Sequence, residues 1–147
     1  MTDFPLAEIT LRKYENPYQS DKRELCKKIC LSLGLLQPGD SRDIIVDILT
    51  VLLEARNNKQ EIETDEIKEK VIALRKKSNL ELNGIADSNI RRQLKRLKDI
   101  FIAEKTSKGY RITEFESLNK IFSEKLENFL VPSIIARIKE YMSAVEK

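Results

Sequence analysis

The amino-acid sequence predicts a mainly α-helical fold carrying one small β-hairpin. Three observations lead there. Apolar residues recur at spacings of three and four along most of the chain, which is the period of one face of a helix. With 4 Gly and 4 Pro among 147 residues there is no linker or low-complexity tract. Between the helical stretches, Ile100 to Thr113 breaks the period in the pattern of a hairpin. There two short strand-like runs, Ile100 to Lys105 and Tyr110 to Thr113, are joined by Thr106-Ser107-Lys108-Gly109, with Gly109 at the permissive turn position.

The elements follow in order. Met1 to Gln19 has no clear period; Leu6, Ile9, Leu11 and Tyr14 can pack as an extended arm, and Asn16-Pro17 marks a turn. Ser20 is the expected N-cap of a first helix running to about Leu36, with Leu25, Ile29, Leu33 and Leu36 on one face, and Gln37-Pro38-Gly39 stops it. Asp40 or Ser41 opens the next helix. Ile44, Ile45, Ile48, Leu49, Leu52 and Leu53 give it a wide apolar face, so it should be the most buried helix. Glu61-Ile62-Glu63 alternates like a short strand, and Thr64 caps a helix with the stripe Ile67, Val71 and Leu74 that runs out near Lys77. Ser78 to Ala86 is a loop containing the Asn83-Gly84 turn signal. Asp87 or Ser88 caps a helix with Ile90, Leu94, Leu97 and Phe101 on the inner face and Ser88, Arg92, Lys95, Arg96 and Asp99 on the outer one. After the hairpin, Phe115, Leu118, Phe122, Leu126 and Phe129 form a helical stripe that Pro132 must end or kink. A last helix carries Ile134, Ile138, Tyr141 and Val145 as a narrow seam of the kind that pairs helices.

Charge is concentrated. From Ser88 to Arg111 there are eight Lys or Arg (positions 91, 92, 95, 96, 98, 105, 108 and 111) against Asp99 and Glu104. This stretch is therefore +6 in a chain of net charge +3. The acids Glu61, Glu63, Asp65, Glu66 and Glu69 sit at a strand-to-helix entrance, where they suit the helix dipole. There is no His for acid–base work, no phosphate-binding loop, no glycine-rich dinucleotide turn and no Gly-x-Ser-x-Gly elbow, so no enzyme and no cofactor are expected. Cys26 and Cys30, four apart on a helix, are read as small buried apolar side chains. A structural zinc would need four ligands, and a disulfide within one turn would be strained.

A composition 41% hydrophobic and 35% charged suits a soluble domain. No apolar run approaches the ~20 residues of a membrane helix, and no signal-peptide pattern stands at the N-terminus, so a cytoplasmic protein without a membrane partner is expected. Abundant Lys, Glu and Ile, with no Trp, points to a thermophilic source.

The order of elements from Asp40 to Thr113 resembles the winged helix-turn-helix superfamily of archaeal and bacterial regulators. EIETDEIKEKV resembles its short strand and second helix, SNIRRQLKRLKD its recognition helix, and FIAEKTSKGYRIT its wing. The link from Lys77 to Ser88, about ten residues, departs from the family's tight turn of three or four. The resemblance implies three parts: an N-terminal arm and helix (1–39), a DNA-binding winged helix-turn-helix (40–113) and a C-terminal helical extension for dimerisation (114–147). It implies double-stranded DNA as partner, with Ser88, Asn89, Arg91, Arg92, Lys95 and Arg96 as helix contacts and Lys105, Ser107, Lys108 and Arg111 as wing contacts. It also implies a homodimer through Phe122, Leu126, Phe129, Ile134, Ile138, Tyr141 and Val145. Residue chemistry agrees: Arg forks onto guanine or phosphate, Asn onto adenine, and Lys onto phosphate. The expected function is that of a transcriptional regulator. The alternative is a protein-interaction module in a transcription or replication assembly, with the basic face meeting an acidic partner.

Overall fold

The computed structural model describes residues 2–18 and 21–147. It shows helix α1 (Lys22–Ser32), α2 (Ile44–Asn57), α3 (Thr64–Lys77), α4 (Asp87–Asp99) and an antiparallel hairpin of β1 (Ala103–Thr106) and β2 (Gly109–Ile112). A single 3-10 turn (Thr113–Phe115) leads into α5 (Leu118–Ile121), a π-helical stretch (Phe122–Leu130) and α6 (Val131–Val145). The fold is thus mainly helical with one small hairpin.

The expected cap Ser20 lies outside the described residues. Asp21 caps α1, its carboxylate accepting from the Glu24 amide at 2.8 Å. The helix stops at Ser32 rather than Leu36. Gly34 takes φ +71 just beyond it, and the amides of Leu35 and Leu36 turn back to the Cys30 carbonyl at 2.9 and 3.2 Å. No cation sits in the last turn of α1, and Arg12 of the N-terminal arm supplies one, donating to the Leu31 and Leu36 carbonyls at 2.8 and 3.2 Å. Gly34 is held against this arm, since a Cβ there would collide with Thr10.

Helix α2 is the centre of the molecule, and α1, α3, α4 and β2 all pack on it. Its apolar residues from Ile44 to Ala55 are buried without exception, so it is covered on all sides. It starts later than expected, at Ile44, because Asp43 is occupied elsewhere: it makes no cap and instead joins a buried ion network. Arg75 of α3 donates to Asp47 at 2.6 Å and to Asp43 at 3.0 Å. Arg23 of α1 reaches the same two carboxylates at 3.2 and 3.0 Å. Asp47 and Arg75 are 2% and 3% exposed, and pairing is what makes such burial tolerable. Burial pushes the Asp43 carboxyl up, but the hydrogen bonds from Arg23 and Arg75 outweigh it and hold the group below its ordinary value.

The expected caps of two other helices are replaced. The residue before α3 is Glu63 and the residue before α4 is Ala86, neither making a side-chain cap; Thr64 and Asp87 are the first helical residues. Asp87 instead accepts from Lys68 at 2.9 Å, and this hydrogen bond lowers its carboxyl pKa. Glu61-Ile62-Glu63 is reduced to one paired residue. The amides of Ile62 and Tyr110 donate to each other's carbonyls at 2.9 and 2.8 Å.

Pro132 falls in the first turn of α6, where the π-helical stretch gives way to α-helix, and the backbone runs through this boundary with helical angles. Backbone angles stay helical from Ile121 through Val131, and the nine residues Phe122–Leu130 widen to π-helical hydrogen bonding. A proline in the first turn of a helix lacks an amide that would have no intrahelical partner there in any case. Phe115 is not part of this helix; it and Glu114 take positive φ in the turn before it.

Both cysteines are free and buried, and burial pushes the Cys30 thiol up to about 12. Native protein at pH 8 should leave a thiol reagent unreacted at both positions, and urea should expose both; rapid native labelling contradicts this packing. Arg75→Met, which takes from the buried Asp47 its buried partner and leaves it only the partly exposed Arg23, should cost about 3–5 kcal/mol in urea denaturation. Arg23→Ala should also destabilise. Because the folded pKa of Asp43 is depressed, its part of that deficit is full above the ordinary 3.8 and fades as pH falls through the lower folded value. Stability curves of both proteins should therefore converge in acid.

Candidate nucleic-acid interface

Helix α4 presents its inner face, Ile90, Leu94 and Leu97, to the core with no exposure, which fixes the direction of the outer face. The sequence-predicted residues fall into two groups on it. Ser88, Arg91, Arg92 and Lys95 are exposed, and so are Lys105, Ser107 and Lys108 on the hairpin. Asn89, Arg96 and Arg111 are only partly exposed and are engaged inside the molecule.

Asn89 donates to the Gly84 carbonyl at 2.7 Å and accepts from Arg92 and Gln93, each at 3.0 Å. It thereby pins the long α3–α4 link to the start of α4. Arg75 holds the same link from its other end through the Glu81 carbonyl at 2.5 Å. The two contacts satisfy carbonyls that a loop of this length would otherwise leave unpaired. Arg96 donates to the Gly34 carbonyl at 3.1 Å and to Gln93 at 2.8 Å, tying α4 to the turn after α1. Arg111 pairs with Glu104 at 2.7 Å and Glu61 at 3.8 Å, and its guanidinium lies 4.8 Å from the Phe115 ring centre. These three side chains support the face more than they extend from it.

The hairpin is fixed at its base and free at its tip. Thr106 pairs with Gly109, so Ser107 and Lys108 form the turn. Gly109, at φ +134, packs so closely on Ile62 that a Cβ would strike its backbone. Lys105 lies 5.9 Å from the Tyr110 ring centre, while Lys108 has no ion-pair partner among the described residues.

The exposed ridge of α4 runs between two clefts. On the hairpin side, Arg91 and Lys105 border a cleft of about 310 Å³ whose opposite wall holds Glu63 and Asp65 of the α3 start. On the other side, Arg92 and Arg96 border one of about 550 Å³ against Arg42 and the α1–α2 loop. Sequence reasoning missed Arg42. It stands outside any periodic segment, and only the fold brings it to α4. Lys95 is paired with Asp99 at 3.0 Å on the surface, a contact easily exchanged for another anion.

Of the residues expected in a dimer seam, Ile138, Tyr141 and Val145 are exposed, as are Ile135 and Met142, which the heptad reading omitted. Phe129 is exposed but meets Phe101 edge-on at 6.0 Å. Phe122 and Ile134 are partly covered. Leu126 is fully buried in its own chain, so it has no surface to give a partner. Among the described residues no group of His, Cys, Asp and Glu could hold a metal ion, and no helix is long and apolar enough to cross a membrane.

Arg111→Ala should lose about 1–2 kcal/mol in urea denaturation, since a part-buried pair and a ring contact go together. Lys108→Ala should stay within about 0.5 kcal/mol of wild type. Equal stabilities for the two variants would return Arg111 to the free surface. Comparison with protein-family models, with curated proteins and with solved structures finds no match to this chain.

Proposed function

We propose that the protein is a winged helix-turn-helix regulator that binds double-stranded DNA sequence-specifically as a homodimer. The observation that carries this reading is the exposed cationic ridge of α4, Arg91, Arg92 and Lys95, beside a hairpin whose tip carries Ser107 and Lys108. A rigid helix with an outward guanidinium row fits a major groove, and a hairpin tip with one unpaired Lys fits the adjoining backbone. The buried inner face and the held link make the ridge stiff, which favours base readout over loose phosphate contact. The α6 stripe of Ile135, Ile138, Tyr141, Met142 and Val145 supplies the dimer contact, and two ridges would read half-sites about one helical turn apart.

A protein-interaction role is favoured by a different observation. Asn89, Arg96 and Arg111 are spent on internal contacts, which leaves fewer free readers. Binding isotherms on an enriched duplex and on random duplex, across a salt series, separate the two. Arg92→Ala should cost about 1–3 kcal/mol on the enriched site and much less on random DNA. Lys108→Ala should weaken both alike and lower the salt slope by about one. If wild type binds no duplex at modest salt, the interaction reading replaces this one.

Ile138→Asp should turn a dimer into a monomer in light scattering at tens of micromolar, by burying charge in an apolar contact. A wild type already monomeric there removes the homodimer.

A further inference from the structure

We propose that the cleft between α4 and the α1–α2 loop binds a small oxyanion, a phosphate or carboxylate. It holds about 550 Å³, within the roughly 300–1,000 Å³ of small-ligand sites. Three guanidinium groups border it: Arg92 and Arg96 from α4 and Arg42 from the loop. The only acid on its wall, Asp40, is already accepting from the Gln37 amide at 3.0 Å. Arg42 is exposed and has no hydrogen-bond or ion-pair partner among the described residues. The cations thus outnumber the acid and come from two elements far apart in sequence, so they converge on one volume. Leu36 and Ile45 also line the cleft, but both are buried, so the surface it offers is mainly polar.

Arg42 is the free group, so it carries the anion. Arg96 is oriented by the Gly34 carbonyl and needs no reorganisation to take a second acceptor. Arg92 would have to leave Asn89. Because Arg92 also belongs to the ridge, an occupied cleft and a bound duplex compete for one side chain. This coupling, and not the site itself, rests on the DNA-binding reading.

The test uses the full chain and two probes, inorganic phosphate and phenyl phosphate, followed by amide and arginine side-chain NMR shifts. Phenyl phosphate should give saturable shifts confined to Arg42, Arg92, Gln93, Arg96 and the loop, and inorganic phosphate should shift the same residues. Arg42→Ala, which removes an unpartnered surface side chain, should fold normally and weaken phenyl phosphate about five- to tenfold, as one lost charge-assisted contact predicts. Non-saturating shifts spread over every surface cation, unchanged by Arg42→Ala, overturn the site. A third arm titrates duplex DNA into both proteins. Should Arg42→Ala weaken the duplex while phenyl phosphate leaves the cleft unshifted, the cleft is a backbone-phosphate seat and the small-molecule site is wrong. If phenyl phosphate binds the cleft but no duplex binds at all, the site stands and only the DNA reading falls.

Discussion

A carboxylate sits in the most apolar helix of the molecule, and the rest of the fold is arranged to satisfy it. Asp47 is in the first turn of α2, buried where water does not reach. Only a fully paired charge is tolerable there. Its partners arrive from both sides, Arg23 from α1 and Arg75 from α3, and each also engages Asp43. Shifting either helix by one turn would bury a charge without a partner, so the network selects one register of three helices where apolar packing alone would accept several. Arg75 goes further, holding the Glu81 carbonyl and thereby the link that delivers α4. The orientation of the cationic ridge is set, at two removes, by a buried acid.

The C-terminal half depends on a different compromise. The chain leaves the hairpin through Glu114 and Phe115, both in a left-handed conformation that costs each of them about 1 kcal/mol. Arg111 against Phe115, and Glu104 accepting from the Glu114 amide at 3.0 Å, hold them there. The helix that follows then widens over Phe122–Leu130 and runs on past Pro132. Its first part is anchored in the core by Ile121, Leu126 and Leu130, and its last part has no buried residue. The same helix is thus core at one end and surface at the other.

Much of this was legible in the residues. Four helices from α1 to α4, the hairpin and its turn, and the central position of α2 follow from apolar period and turn chemistry, because those signals are local. The misplaced details are those a distant group decides. The start of α2, expected at Asp40 or Ser41, falls at Ile44, and Asp43 before it is an ion-pair member whose partner Arg75 lies 32 positions away. Arg96 was indistinguishable from Arg92 by period, yet Gly34, 62 positions earlier, takes it out of the exposed set. Leu126 and Ile138 share a spacing pattern, and only the depth of the helix in the fold separates core from surface. Pro132 illustrates a local rule at work, since it stands in the first turn of α6 where a new element begins.

The backbone clasp at the foot of the hairpin has a consequence for motion. Ile62 and Tyr110 exchange amide bonds across a gap that only Gly109 permits. The hairpin therefore cannot swing away as a unit without also releasing the segment that leads into α3. Its bonded amides at the foot should exchange slowly, like those of the core, and those of Ser107 and Lys108 at the tip quickly. The tip can adapt to whatever lies against it, and the foot keeps that adaptation from spreading into the helices.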